Sequence, residues 1–351
     1  MNEFVVYTEK KAFDEITFNG NYPNLRRVFT NHATIVLNLT QQELQDNIDA
    51  EGEIFYFLHA NAGAKLPIAY PAQFENVYQD NASVVSTPRS IYFLNITKPE
   101  ADTMKTAFGI LVQSSEAIDD NALTGTYFKE LKKDQKIESA GKIGWMQLLD
   151  FEIPPSNAVI ISDSYLLNDT ETIGENTFSV GKENLIKLLN KLLPVGLQIE
   201  YHVTIVSEDY DRTQEWKAKI AGDLNTAIKN LRPYDINVEI IFVKSEHFHK
   251  RRLIMNYVNA SCDKGFSVFR VRDGKTVKSV NDIRFNRVFS NLDNLGGDTD
   301  FDSATEGLQS IKQVSLELAA HIRSGADVYR GAIMGGCKAD RTPKNRLIND
   351  V

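Results

Sequence analysis

The chain has 351 residues, 42% of them hydrophobic and 25% charged, with a formal net charge of −8 at pH 7. This composition excludes disordered and fibrous classes, and the length suffices for two domains with separate cores. No window approaches the ~18–20 apolar residues of a membrane span, and the two isolated cysteines, Cys262 and Cys337, support neither a disulfide framework nor a zinc site, so a cytoplasmic protein with no metal and no cofactor is expected.

In chain order, five apolar runs read as strands: 4–8 (FVVYT), 33–39 (ATIVLNL), 54–59 (IFYFLH), 90–96 (SIYFLNI) and 109–113 (GILVQ). Between the last two, Thr97 can cap a helix that has Pro99 in its first turn and Glu100 and Asp102 at its positive end. Strand, helix, strand predicts a βαβ unit and hence an α/β domain. Residues 114–143 lose the apolar pattern and read as a long surface segment. Pro154 and Pro155 then exclude both helix and central strand, which places a domain boundary near residue 150.

The second half alternates more cleanly. Residues 157–167, 197–207 and 236–245 read as strands, and 182–193 and 213–231 carry apolar residues at helical spacing. GFSVFRVRDGKTVKSV (265–280) predicts a hairpin turning at Asp273-Gly274, and a capping box from Ser303 to Glu306 opens a last helix. The division expected is an α/β domain of unassigned role at 1–150, a second α/β domain at 151–325, and a flexible, Gly-rich, basic tail at 326–351.

Charge is unevenly spread. Between Ile241 and Ser290 lie eleven basic and four acidic residues, a local +7 that leaves −15 for the rest of the chain. Such a concentration points to admission of phosphate at one place, or to a basic hairpin facing the acidic remainder. The stretch opens with FVKSEHFHKRRLIMNY (242–257). On an extended strand His247, His249 and Arg251 share one face, and Lys250 and Arg252 the other. Arg270 and Arg272 follow on the expected hairpin. Phe248, Tyr257, Phe266, Phe269, Phe285 and Phe289 interleave with these cations, as stacking of bases beside a phosphate track requires, although alternation turns some of them inward.

The spacing His249-x-Arg251-x4-Asn256, followed by Gly265-Phe266-Ser267, resembles the His-x-Lys-x4-Asp/Asn motif of the phospholipase D superfamily. It is most similar to the degenerate phospholipase-D-like module at the C-terminus of MIT-domain proteins, which has His-x-Arg, and the likeness covers residues 157–290. The resemblance implies a mixed α/β sandwich lobe, with His249 as nucleophile on phosphorus, Arg251 as clamp on non-bridging oxygens and Asn256 in support. Active members use two copies of the motif. This chain has one, so catalysis implies a homodimer meeting at the site. Three functions follow: binding of a phosphodiester polyanion, nucleic acid or an anionic lipid surface, through His247, Lys250, Arg251, Arg252, Arg270 and Arg272; a dimeric, metal-independent phosphodiesterase or nuclease; and a protein-interaction scaffold. Lack of an apolar surface helix or lipidation signal favours nucleic acid.

Other motifs carry less. GAIMGGCK (331–338) lacks the lysine position and the Ser or Thr of a phosphate-binding P-loop, and DTDFDS (298–303) has Ser303 where a calcium loop needs glycine, so it reads as an acidic helix cap. Asp163 and Ser164 end a buried strand, a place for ligand contacts or for a satisfied turn.

Overall fold

The fold is that of a computed structural model, which describes residues 4–61, 77–78, 87–244, 251–292 and 298–351. Four strands, β1 (Phe4–Thr8), β2 (Ala33–Leu37), β3 (Ser90–Leu94) and β4 (Leu111–Ser114), form a wholly parallel sheet in the order β2-β1-β3-β4. Covered on both faces, they need apolar side chains at successive positions, which is why they stand out in the sequence as unbroken runs. Helices α1 (Lys10–Phe18) and α2 (Pro23–Asn31) join β1 to β2. Helices α3 (Gln41–Asp49) and α4 (Glu53–Ala60) follow β2, and α5 (Lys98–Phe108) joins β3 to β4 behind the Thr97–Glu100 capping box.

The run IFYFLH, expected as a strand, is α4. Ile54 and Phe57 are its buried residues, three apart, while Tyr56 is exposed, and the ring of Phe57 packs edge-on against Phe13 at 5.1 Å. Five consecutive apolar residues, Ile54 to Leu58, carry no period of their own, so the choice fell to this packing.

The second sheet is mixed and has eight strands. Along the chain run β5 (Thr126–Leu131), the hairpin β6–β7 (Glu138–Ser139, Lys142–Ile143), β8 (Ala158–Ser162), the hairpin β9–β10 (Thr170–Ile173, Asn176–Ser179), β11 (Tyr201–Glu208), β12 (Ile236–Val243), β13 (Arg252–Met255), β14 (Val258–Cys262), β15 (Asn281–Arg287) and β16 (Ile333–Gly335). The sheet order is β16-β12-β11-β8-β13-β14-β15-β5. Its parallel centre, β8, β11 and β12, is linked through α7 (Val180–Leu192) and α8 (Gln214–Lys229). From β13 onward the neighbours are antiparallel. One face packs on α6 (Trp145–Leu148), α7, α8 and part of the segment 264–280; the other packs on α9 (Asp300–Arg323) and residues 332–348.

Four features differ from expectation. The segment read as surface contributes β5, so the second sheet begins ahead of residue 150. Residues 326–351, read as a flexible tail, supply β16 antiparallel to β12 and the short helix α10 (Arg346–Asn349), with Asn345, Leu347 and Ile348 buried. Polar anchors hold this segment: Lys344 N–H donates to Glu239 Oε1, Asn345 donates to Val159 O and Thr204 Oγ1, and Arg346 N–H donates to His202 Nδ1. The hairpin expected at 265–280 reduces to a single bridge, Phe269 to Val277, beyond a turn in which Asp273 accepts from the amides of Lys275 and Thr276. Helix α9 starts at the Thr299–Asp302 capping box, ahead of Ser303. No helix among the described residues is long and apolar enough to cross a membrane.

The two sheets meet at the turn between β13 and β14. Tyr257 Oη accepts from Leu111 N–H at 2.8 Å and donates to Ser90 O, so a hydroxyl from the second sheet stands in the ladder between β3 and β4 of the first. Asn256 Oδ1 accepts from the amides of Asn157 and Ala158, and its Nδ2 donates to Pro88 O and Asn157 Oδ1. Beside them Phe4, Phe289 and Phe301 cluster, and the buried Arg89 lies over Phe301 while bonding Asp350 and Thr305.

Removing the hydroxyl in Tyr257→Phe leaves the Leu111 amide and the Ser90 carbonyl unpaired, and stability measured by urea unfolding is expected to fall by about 1–3 kcal/mol. A second outcome concerns pH. Burial, then the Arg346 cation, holds the imidazole of His202 down at about 4, below its usual 6.5. The unfolded chain therefore binds a proton that the folded chain refuses between those values, and stability falls as pH drops through that window. His202→Asn should flatten the fall in a series of melts from pH 7 to 4.

Candidate functional site

Strand pairing gathers a row of directly opposed residues on one face of the second sheet: Ser162 on β8, Arg252 on β13, Ser261 on β14, Arg284 on β15 and Phe128 on the edge strand β5. Alternation puts Ile254 on this same face, and Ile254 packs with α9, which identifies the face as the α9 side. Helix α9 covers the sheet at Ile254, where its Asp300 accepts from Asn259 and Asn286, and leaves the next rung open. The open rung is a shallow depression of about 500 Å³ lined by Phe128, Arg251, Arg252, Ser261, Cys262, Asp263, Asp282 and Arg284.

Each cation in it is held differently. Arg252 donates to Ser303 O of α9 at 2.8 Å, and burial lowers its guanidinium from the ordinary value against the pull of Glu306. Arg284 is exposed and its guanidinium lies 5.3 Å from the ring centre of Phe128; among the described residues that guanidinium makes no ion pair or hydrogen bond, although, where burial pushes the Asp300 carboxyl upward, its charge acts against that push. Arg251 bonds Asp263 O, stands 3.9 Å from Asp163, and lies over the ring of Tyr165 at 5.2 Å. Ser162, at the inner end of the row, has a buried hydroxyl with no partner among the described residues.

Asp163, singled out at the strand end, is a satisfied turn residue. Its carboxylate accepts from Tyr165 N–H and Phe266 N–H, and burial pushes its carboxyl upward against those donors and Arg251. It stands beside Arg251 at the loop of Gly265, whose φ is +87° and whose absent side chain makes room for Asp163 Oδ2.

The sequence-predicted residues are only partly brought together. Arg251 and Arg252 line the depression. Arg270 and Arg272 lie in the 264–280 segment, whose apolar residues pack on the opposite face; Arg270 is paired with Asp134, and Arg272 is exposed. Lys275 and Lys278 are likewise matched to Glu138 and Asp169, so this part of the basic stretch faces acidic partners within the chain. Asn256 is fully buried, with both ends of its amide engaged by the interior bonds described above, and it does not line the depression. His247, His249, Lys250 and Phe248 lie outside the described residues. Tyr257, Phe266, Phe269, Phe285 and Phe289 are all buried, so none offers a ring for stacking.

Phe128, Ser261 and Arg284 were missed as a group. The period-2 alternation of NDIRFNR around Arg284 was legible, but nothing local says that TYFKEL pairs with it. Among the described residues no group of three His, Cys, Asp or Glu side chains is gathered to hold a metal ion. No family model matches the chain, and no curated protein matches its sequence.

Gly265→Ala would place a methyl 2.5 Å from Asp163 Oδ2 at a left-handed backbone position. The expected loss is about 1–3 kcal/mol, read as a lower denaturation midpoint. An unchanged midpoint would mean that the Asp163 turn moves without cost.

Proposed function

We propose that this surface binds a phosphodiester polyanion, nucleic acid in the first place, with phosphate oxygens taken by Arg251, Arg252 and Arg284. The observation that carries this reading is the Arg252–Ser261–Arg284 row on an open sheet face, in which the Arg284 guanidinium makes no ion pair or hydrogen bond among the described residues. A planar fork of donors on either side of a serine hydroxyl suits the tetrahedral phosphate oxygens, and an unpaired guanidinium at the surface loses little by exchanging water for them.

The likeness to a degenerate phospholipase-D-like lobe belongs to the same proposal. The order β8, α7, β11, α8, β12, then β13 and β14 is compatible with it, and Arg251 as the cation of the motif reaches the depression. Binding is favoured over catalysis because Asn256, the third member of the motif, spends its amide on the backbone of Pro88, Asn157 and Ala158. A role for His249, and with it the dimeric phosphodiesterase, rests on the sequence spacing alone.

The test is fluorescence anisotropy with labelled DNA and RNA in EDTA between 50 and 200 mM salt, with phosphatidylserine vesicles in parallel. Nucleic acid affinity is expected to fall steeply with salt, and Arg284→Ala to weaken it and reduce the log–log slope by about one. Affinity indifferent to salt and to Arg284→Ala overturns the proposal, as does binding to vesicles alone. Cleavage products that vanish in His249→Ala would replace binding with the phosphodiesterase.

A further inference from the structure

The row has walls as well as a floor. Asp263 follows β14, two residues beyond Ser261, and its amide donates to the carbonyl of Asp282, two residues before Arg284 on β15; both line the depression on the same side of the row, and Glu130, opposite Asp282 on β5, continues that side. The other side is the N-terminal half of α9, with Ser303 and Gly307 against Arg252 and the exposed Glu306 near enough to act on the Arg252 guanidinium. The cations are thus confined to the centre line of a channel that crosses the strands, and the borders are acidic. Spanning β13, β14, β15 and β5, it is roughly 14 Å long at about 4.8 Å per strand.

At its outer end stands Phe128. The ring is 44% exposed, whereas Tyr257, Phe266, Phe269, Phe285 and Phe289 in the same region are all buried. Burial was available to the neighbouring aromatics and not used here: Tyr127, one residue away, turns to the other face and stacks on Phe151 at 4.4 Å. Arg284 lies over Phe128, so the ring and the exposed guanidinium form one unit at the edge of the sheet.

Resting on the phosphate reading above, we propose that the ligand enters this channel as a single strand, one base stacked on Phe128 and the adjoining phosphate held over Ser261 between Arg252 and Arg284. A duplex keeps its bases stacked inside and presents two rows of phosphates, which acidic borders on both sides repel. A flat sheet face also offers no helix or ribbon to enter a groove. A single strand has one row of phosphates for the centre line and an unstacked base for the ring. No base edge is read by this arrangement, so the binding is tolerant of sequence.

The experiment is competition anisotropy on the full chain with a single-stranded oligonucleotide, its duplex, an abasic strand of equal length and a nucleoside monophosphate. It uses the wild type, Phe128→Ala, Phe128→Tyr and Arg284→Ala, each checked by its thermal melt. Single strand is expected to bind at least tenfold more tightly than duplex. Phe128→Ala should lose about tenfold for the single strand while keeping the salt slope, Phe128→Tyr should restore it, and the abasic strand should bind the wild type as weakly as the intact strand binds Phe128→Ala. Equal affinity for duplex, or an intact single-strand affinity in a folded Phe128→Ala, overturns the inference while Arg284→Ala still tests the phosphate reading. If the nucleoside monophosphate competes as well as the strand, the ligand is a free nucleotide and the single-strand inference falls. If Arg284→Ala is also without effect, both fall.

Discussion

The turn Asn256–Tyr257 is the constraint on which the rest of the molecule hangs. A tyrosine hydroxyl completes a ladder between two strands of another sheet, and an asparagine amide satisfies the amides of Asn157 and Ala158 at the head of β8 together with the carbonyl of Pro88 at the approach to β3. All of these groups are shielded from water, where an unpaired donor or acceptor is expensive, so the two sheets are locked to one register. Asn256 therefore acts on the sheet junction rather than on a ligand, although its place after His249 and Arg251 in the sequence directed attention to a pocket.

From that junction β13 runs antiparallel to β8, and the remaining strands follow as a meander to the edge. The consequence is electrostatic. Arg252, Ser261 and Arg284, spread over thirty-three positions of sequence, become neighbours across the strands, while Arg270 and Arg272, nearer to Arg252 in sequence than Arg284 is, go with the segment on the other face. There the cations of 270–278 are largely neutralised by Asp134, Glu138 and Asp169. The local excess of positive charge thus divides into two uses, one that binds the chain to itself and one left open. Exposed ion pairs contribute little to stability individually, so the value of the first group lies in orienting the 264–280 segment rather than in holding the fold.

The open group is small but arranged. Its cations occupy a line, its carboxylates stand to the sides, and the one large exposed ring in the row closes its end at β5. β5 lies in the stretch that carries no apolar pattern, since an edge strand with one solvated face needs few apolar residues.

Sequence alone determined the elements whose signal is local. Strands buried on both faces are mostly apolar, so β1, β3 and β8 were legible as runs and β11 and β12 as strands whose polar residues His202, Thr204, Asn237 and Glu239 alternate with apolar ones, and the Thr97–Glu100 box marks the start of α5 because capping is a contact between residues three apart. It also located the cations Arg251 and Arg252. What tertiary structure decided was which face each side chain takes and what stands opposite it. IFYFLH became α4 by packing against Phe13, residues 326–351 became part of the sheet by docking on Glu239, Thr204 and His202, and Phe128 came to Arg284 by strand pairing across more than 150 residues. Pairing between distant strands leaves no periodic trace in either one, because each records only its own alternation and not the identity of its neighbour.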